Sequence, residues 1–426
     1  MNRAVAVIGG GISGLSLAYF FHQQGFLVDV FDAFLEHRVS KRARLLSASK
    51  CAQGVATIKG LRLADTPLFD AKIKGHEVFK DLLAFLSKEE GLPLMNLGVL
   101  EPFVSDQDKN RVMDRVFRRV DLASLNVEIL DKAALEEFHV RLSSALDLEG
   151  AFYFPDDYTY DPLKVLECLR EYLVKNGVRF YKKNIIASNL KLDFATNQFL
   201  KIAIDDRLNL KGMNTQDNRK TGKSMDDQKN ERLYENVFLA TGAHLNHFWE
   251  KGFGEALYTR YTPGIAIKLE VSDGRLPNGL KSGTKSLRAD LCQVSVGAFD
   301  LKSRRTQESA TSFINELQNL DYGQVRNDLL GSFIGSCPEI QSLHREVFVA
   351  GMRMSGKRNH PLIGRVSSSD PLWSKVWLFT GFHKSGYSVA PYLASEIAKA
   401  KKNGSEFDSP LRKDDLLHSF VFQGVN

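Results

Sequence analysis

Three glycines stand in the order Gly9-x-Gly11-x-x-Gly14, directly after the apolar run Ala4 to Ile8 and at the start of the helix-like stretch Ile12 to Gln24. That context between strand and helix gives the spacing its chemical meaning. The first glycine permits a tight turn and the second lets the backbone approach a pyrophosphate. The third allows the helix to pack closely on the strand, and the free N–H groups at the helix start, at Ile12 and Ser13, offer themselves to negative charge. Asp32 lies eighteen residues after Gly14, at the end of the strand-like Leu27 to Asp32, and is placed to accept hydrogen bonds from an adenosine ribose. These residues predict a dinucleotide gripped by its phosphates.

The fingerprint alone does not separate NAD from FAD. Three further glycine-marked turns decide for FAD. Ser47-Ala48-Ser49 precedes Gln53-Gly54, Ala240-Thr241-Gly242 ends a buried strand pattern, and Gly381-Phe382-His383-Lys384-Ser385-Gly386 joins the last strand pattern to a last helix that carries Tyr387. Such a set suits a ligand that extends well beyond its pyrophosphate, with the final helix N-terminus directed at the far end, where reduced isoalloxazine carries negative charge. Ser49, Gln53, Gly54, Thr241, Gly242, Gly381, Ser385, Gly386 and Tyr387, which belong to these turns, are expected beside the cofactor, as is Ile186, with FAD held noncovalently. The four cysteines are Cys51, Cys168, Cys292 and Cys337.

The elements that must position these turns follow from periodicity. Helices are predicted over Ile12 to Gln24, Pro67 to Glu90, Asp106 to Val120, Asp131 to Phe138, Asp161 to Asn176, Thr306 to Leu320 and Ala390 to Lys401, the last opened by Pro391. Strands are predicted over Ala4 to Ile8, Leu27 to Asp32, Val178 to Tyr181, Ile185 to Leu192, Val237 to Ala240 and Val376 to Phe379, with Arg260 to Val271 and Gln293 to Phe299 in a second sheet. The fold class expected is α/β: a doubly wound, Rossmann-like FAD-binding domain interleaved with an α+β substrate domain built on a mostly antiparallel sheet. Residues 1–66, 150–204, 233–248 and 346–402 are assigned to the first, 67–149 and 249–345 to the second. Residues 205–232, polar and without periodicity, read as a surface loop between hairpin strands, and 403–426 as a C-terminal tail.

Composition sets the outer limits. A chain of 426 residues, 43% hydrophobic, has enough material for two interleaved domains. Its 57 lysines and arginines exceed its 51 acids by only six charges, a slight bias toward anionic partners such as RNA or a small anion. The cysteines form no CxxC pair and no metal-ligand spacing, so neither zinc nor a disulfide framework is expected, and the default location is the cytoplasm. The glycines of the fingerprint break the apolar run after Arg3, which argues against an export signal, and no stretch approaches the ~18 uninterrupted apolar residues of a membrane span.

The segments VIGGGISGLSLAYFF, ASKCAQGV, GAFYFPDDYTYDPLKVL, VFLATGAHLNHF, FVAGMRMSGKRNHPLIG and VWLFTGFHKSGYSVAPYLASEIA together resemble, in order and over most of the chain, the D-amino-acid oxidase, glycine oxidase and sarcosine oxidase superfamily. Within it they are most similar to the FAD-dependent half of the bifunctional bacterial enzyme that modifies the wobble uridine of tRNA by cleaving a carboxymethyl group from an aminomethyl nitrogen. The sequence begins at the fingerprint, so the methyltransferase half is not expected, and Thr262-Pro263-Gly264-Ile265 departs from the Gly-Gln/Glu pair of the family's substrate sheet.

The resemblance implies an enzyme that oxidises a CH–NH or CH–NH2 donor by hydride transfer to flavin N5, followed by imine hydrolysis. It places Arg353, in Gly351-Met352-Arg353, where the family pairs a guanidinium with the substrate carboxylate, and Lys384 where glycine oxidases carry a second cation; Arg358 and His360 flank the same loop. A planar fork suits a carboxylate because it makes two parallel charge-assisted hydrogen bonds. Other readings stay open: a brace from Arg353 to a buried acid, and Lys384, Arg358 and His360 as surface residues. Tyr258 and Tyr261 read as core. The expected partners are a small amine or amino acid, or a modified tRNA, with molecular oxygen or another electron acceptor. The alternatives are oxidation of carboxymethylaminomethyl-uridine in tRNA, oxidation of free glycine, sarcosine or a D-amino acid, and a flavin-binding module without turnover.

Overall fold

The computed structural model describes residues 3–33, 37–38, 43–57, 67–93, 96–117, 126–138, 148–185, 189–192, 200–202, 232–245, 259–270, 279–282, 285–289, 293–300, 304–305, 310–334, 340, 346–356, 360–366 and 372–405. Its N-terminal unit is the expected one. The fully buried strand Ala4–Ile8 leads into the helix Ile12–Gln23, which stops at Gly25 (φ +83°), and the strand Leu27–Asp32 returns parallel to the first, Val5 beside Val28. Parallel pairing extends through Asn236–Leu239 to Val376–Thr380 on one side and to Arg179–Lys182 on the other. Leu362–Arg365 closes the far edge antiparallel, giving a six-stranded sheet.

Side chains alternate across this sheet, as strand geometry demands. Val5, Val7, Val28, Val30 and Phe238 share one apolar cluster with the helices Ile12–Gln23, Pro67–Glu90, Pro162–Lys175 and Gly386–Lys402. Ala4, Ala6, Phe31 and Val237 face the other way and pack with Leu190, Leu200 and Tyr234 of a three-stranded antiparallel sheet. Among the described residues, one face of the parallel sheet is thus covered by helices and the other by this small sheet. Leu200–Ile202 pairs with Leu233–Tyr234, and most of the expected polar loop of 205–232 between them lies outside the described residues.

A second sheet, twelve-stranded among the described residues, is mixed but largely antiparallel. At its centre Arg260–Glu270 pairs antiparallel with both Gln293–Asp300 and Val347–Ser355. Helices Ala310–Gln318 and Tyr322–Ile334 lie on its core through Phe313, Leu317, Leu329 and Phe333. Five strands that the sequence division gives to the FAD-binding domain, His37–Arg38, Ala43–Leu46, Val55–Ala56, Gly150–Thr159 and Val347–Ser355, are hydrogen-bonded into this larger sheet. Apolar runs announce a strand but not its neighbour.

The last helix also differs from expectation. It begins at Gly386, so Pro391 lies inside it and not in its first turn. The missing N–H at Pro391 removes one intrahelical bond. Packing outweighs that loss, since Val389, Ala390, Leu393 and Ala394 are wholly buried against the first two long helices.

Candidate active site

The fingerprint forms a cradle with no room for side chains. Gly9 has φ +115°, and a Cβ there would lie 2.8 Å from the carbonyl carbon of Ala240. At Gly10 a Cβ would stand 3.0 Å from Cγ of Asp32, so the Asp32 carboxylate lies against the turn. At Gly14 it would meet the Gly9 carbonyl carbon at 3.0 Å, which is the close helix–strand approach the third glycine serves. At Gly11 it would come 2.9 Å from the hydroxyl of Ser49. Ser49 accepts a hydrogen bond from the Ile12 amide at 3.1 Å, so the turn of residues 47–54 reaches the N-terminus of the first helix. Ser13, one residue on, is half-buried in the first helical turn.

The other glycine turns converge on the same place. Gly242, at φ +57°, donates its amide to Oγ1 of Thr380 at 3.0 Å, and the Oγ1 of Thr241 is buried without a hydrogen-bond partner. Gly381 (φ +77°) starts the last turn, and Gly386 opens the last helix so close to the first that a Cβ on it would be 3.3 Å from the Ile12 side chain. Two helix N-termini therefore meet at one point, a setting for anionic groups. The close-packed cradle, the carboxylate against the turn and the buried Thr241 hydroxyl fit a dinucleotide bound along Gly9, Gly11, Asp32, Ser49 and Gly242.

The turn of residues 47–54 joins this cradle to the large sheet. Ala43–Leu46 runs parallel to Val347–Ser355, with Leu46 beside Gly351. A Cβ at Gly351 would lie 2.9 Å from the Cys51 thiol, so glycine here lets the turn lie on the sheet. Gly54 is at φ +72° and its carbonyl accepts from Tyr160 N at 2.8 Å. Gln53, expected beside the cofactor, has its side chain turned to the substrate sheet. Its Oε1 accepts from Ser295 Oγ at 3.0 Å, its Nε2 donates to Cys51 O at 3.2 Å, and the amide lies over Gly297. Burial pushes the Cys51 thiol up to about 12, against the opposing charges of Lys268 and Arg353. It is a neutral thiol at neutral pH, poorly suited to covalent flavin attachment.

Arg353 is half-buried in the strand Val347–Ser355, opposite Thr262. Its Nε donates to Thr262 O at 3.4 Å, and its guanidinium lies across Gly264, where a Cβ would be 2.9 Å from Cζ. The Pro263-Gly264 step that departs from the family pattern is thus the surface on which the guanidinium rests. His383, with φ +51°, donates its amide to Met354 O at 3.0 Å, and Phe382 bridges to Ser355. The last glycine turn is fastened next to Arg353, and Lys384 stands exposed upon it. His360 is half-buried, its carbonyl accepting from Gly356 N at 2.9 Å. Tyr261 is core, as expected. Ile186, Arg358 and Tyr258 lie outside the described residues.

Two features escaped the sequence reading. Gly10 makes room for Asp32, a role its neighbours in the fingerprint obscure. Asp29 is wholly buried and accepts from Arg179 Nε at 2.8 Å and Nη2 at 2.6 Å, from Arg232 Nη1 at 2.8 Å and from Tyr234 OH at 2.6 Å. A charged residue between Val28 and Val30 in a buried strand was the available signal.

The family model described as FAD dependent oxidoreductase matches residues 4–400, nearly the whole chain. The chain belongs to this family. The flavoprotein shares its fold with glycine oxidase from Geobacillus kaustophilus (TM-score 0.71, 15% identity, 100% of each chain covered). It also matches iminodiacetate oxidase from Chelativorans sp. BNC1 (TM-score 0.66, 18% identity, 96% of this chain and 97% of that one). L-α-glycerophosphate oxidase from Mycoplasma pneumoniae, a structure with FAD bound, superposes with a TM-score of 0.62 at 15% identity, covering 95% of each chain. No curated protein sequence matches. The cofactor is FAD, and the protein is an oxidoreductase. Among the described residues no helix is long and apolar enough to cross a membrane.

Proposed function

We propose that this flavoprotein oxidises the carbon–nitrogen bond of a glycine-like amine, primary or secondary, whose carboxylate is held by Arg353. The observation that carries the reading is the guanidinium lying across Gly264, one sheet position from the turn that carries Ser49 and Cys51. A half-buried guanidinium on the wall facing the cofactor turn is the arrangement that fixes an α-carbon by a bidentate contact. Fold likeness to a glycine oxidase and an iminodiacetate oxidase supports an amine donor next to a carboxylate.

Bound FAD supplies the two-electron acceptor. The chain's own residues do the rest. Gly9, Gly11, Gly14, the Ile12 and Ser13 amides and Gly242 would hold the phosphates and Asp32 the ribose, and the N-terminus of the last helix at Ser385 and Gly386 would stabilise negative charge on the bound group. Arg353 orients the substrate by its carboxylate. Lys384, exposed on the adjoining turn, adds positive field beside Arg353. The oxidised amine leaves as an imine and is hydrolysed by water, which needs no further side chain.

The sequence likeness to the tRNA-modifying flavoenzyme makes a carboxymethylaminomethyl group on wobble uridine one bearer of such a glycine unit. Anaerobic bleaching of the flavin tests the proposal with glycine, sarcosine, iminodiacetate, D-alanine and tRNA carrying that group in separate cuvettes. Bleaching by a carboxylate-bearing amine and not by its decarboxylated analogue is expected. Bleaching by the plain amine alone overturns the assignment to Arg353, and an oxidised flavin throughout leaves a binding module without turnover.

A further inference from the structure

Tyr387 is expected beside the cofactor, and in the structure its side chain turns to two backbone carbonyls. It is the second residue of the last helix, its side chain is buried, and its hydroxyl donates to Ser49 O at 2.9 Å with Pro162 O at 3.2 Å. A phenol has one proton, so the two carbonyls share it or the nearer takes it. The ring is wedged between Phe79 (centroids 5.5 Å apart) and Tyr160 (5.1 Å). Burial and the nearby charges hold its hydroxyl well above the ordinary range, so it stays a donor across all working pH.

Ser49 is the residue this donor holds from behind. From its front, the same serine presents its hydroxyl to the Ile12 amide at 3.1 Å and closes over Gly11. Within the turn of residues 47–54 the Ser49 carbonyl accepts a longer bond from Ala52 N at 3.4 Å, so the 2.9 Å bond from Tyr387 is the shorter of the two that set the angle at which Ser49 meets the fingerprint.

We infer that Tyr387 is a positioning residue for the pyrophosphate site: it clamps the Ser49 carbonyl from the last helix, and sets FAD affinity through Ser49 without touching the cofactor. The clamp also ties three elements together, the last helix, the cofactor turn and the start of the helix Pro162–Lys175. The inference rests on FAD being the cofactor and is independent of which amine is oxidised.

The test is a titration of FAD into the deflavinated full-length protein, read by quenching of flavin fluorescence, with the phosphorus NMR shifts of bound FAD as a second readout. Tyr387→Phe keeps the ring in its aromatic slot and removes only the donor; it should weaken FAD binding about tenfold and move the pyrophosphate resonances. In a Ser49→Ala background the same change should cost less than about twofold, because an effect transmitted through Ser49 disappears with it. A 4-aminophenylalanine at position 387 restores a donor and should restore affinity. Unchanged affinity in Tyr387→Phe, losses that simply multiply with Ser49→Ala, or a 4-aminophenylalanine protein as weak as the Phe variant would each overturn the assignment. A lowered melting temperature with FAD affinity and phosphorus shifts intact would show a packing role alone and overturn it equally.

Discussion

The guanidinium of Arg353 rests on Gly264 across an antiparallel pair, at a separation that a methyl group on Gly264 would violate. The guanidinium must swing away if any side chain is added there. Gly264→Ala should therefore leave FAD binding and the visible spectrum unchanged while slowing flavin reduction by a carboxylate-bearing amine on the order of 10- to 100-fold, the usual effect of displacing an orienting group by about 1 Å. Stopped-flow reduction at several substrate concentrations checks it. A parental rate would mean that the resting place of the guanidinium has no bearing on turnover.

Arg353 itself gives a stronger change. Arg353→Leu should slow flavin reduction by the true substrate by a factor corresponding to about 2 to 5 kcal/mol, since the partner carboxylate would be left desolvated and unpaired. Arg353→Lys should recover part of this, as a point charge attracts the carboxylate but cannot fix its plane. If the Leu variant is reduced at the parental rate, the carboxylate is held elsewhere, and Lys384 on the adjoining turn is the next position to replace.

The cofactor cradle predicts its own failure. Gly11→Leu should give a protein that elutes without yellow colour and takes up no added FAD, because its side chain would enter the space between the Ser49 hydroxyl and the fingerprint. The folded state should survive, as judged by far-ultraviolet circular dichroism. A yellow Gly11→Leu protein would show that the pyrophosphate lies elsewhere.

What the sequence makes legible here follows from the range of the forces involved. The strand, turn and helix from Ala4 to Gln23 are local and were legible from their apolar run and glycine spacing, although what the glycines pack against, Ala240 at Gly9, Asp32 at Gly10 and Ser49 at Gly11, is not local. The helix Pro67–Glu90 was legible to the residue from its apolar spacing. The side chain of Gln53 was not. Its hydrogen-bond partner Ser295 lies 242 residues on, and nothing around Gln53 distinguishes a side chain facing the cofactor from one facing the sheet. The Tyr387 side chain was illegible for the same reason: its place beside Gly386 can be read, but its hydroxyl bonds to Ser49, 338 residues earlier. Asp29 shows the converse, a visible oddity in an apolar strand whose partners Arg179, Arg232 and Tyr234 come from distant segments.

That carboxylate supplies a stability test away from the active site. Asp29 is fully buried, while Arg179 and Arg232 keep about a third and a quarter of their side-chain surface in water. Removing Arg179 leaves Asp29 with one guanidinium and one phenol, so Arg179→Leu should cost on the order of 2 to 4 kcal/mol, below the full penalty of stranding a buried charge because Arg232 remains. Tyr234→Phe should cost about 1 to 3 kcal/mol. Urea unfolding of the holoprotein measures both. Equal stability of Arg179→Leu and parent would mean that Arg232 and Tyr234 suffice.

His76 gives the expected pH dependence. It sits within the helix Pro67–Glu90, buried against the Tyr158 ring at 4.5 Å between centroids, with Nε2 2.9 Å from Asp156 O and its own carbonyl accepting from Tyr158 OH at 3.0 Å. A carbonyl only accepts, so Nε2 carries a proton. Burial, chiefly, lowers its affinity for a second proton below the ordinary value of 6.5. In this window the unfolded chain binds more protons than the folded one, so stability is fully present above about pH 6.5 and falls as the pH drops toward the lowered folded value. The slope from this one group is at most about 1.4 kcal/mol per pH unit. His76→Phe keeps an aromatic ring against Tyr158 and removes the titration. It should be less stable than the parent at pH 7.5, where the bond to Asp156 O is lost, and the gap should narrow steadily toward pH 5 in thermal unfolding curves. A gap that stays constant from pH 7.5 to 5 would mean that His76 does not gain its charge on unfolding, and the neutral, buried ring would have to be reconsidered.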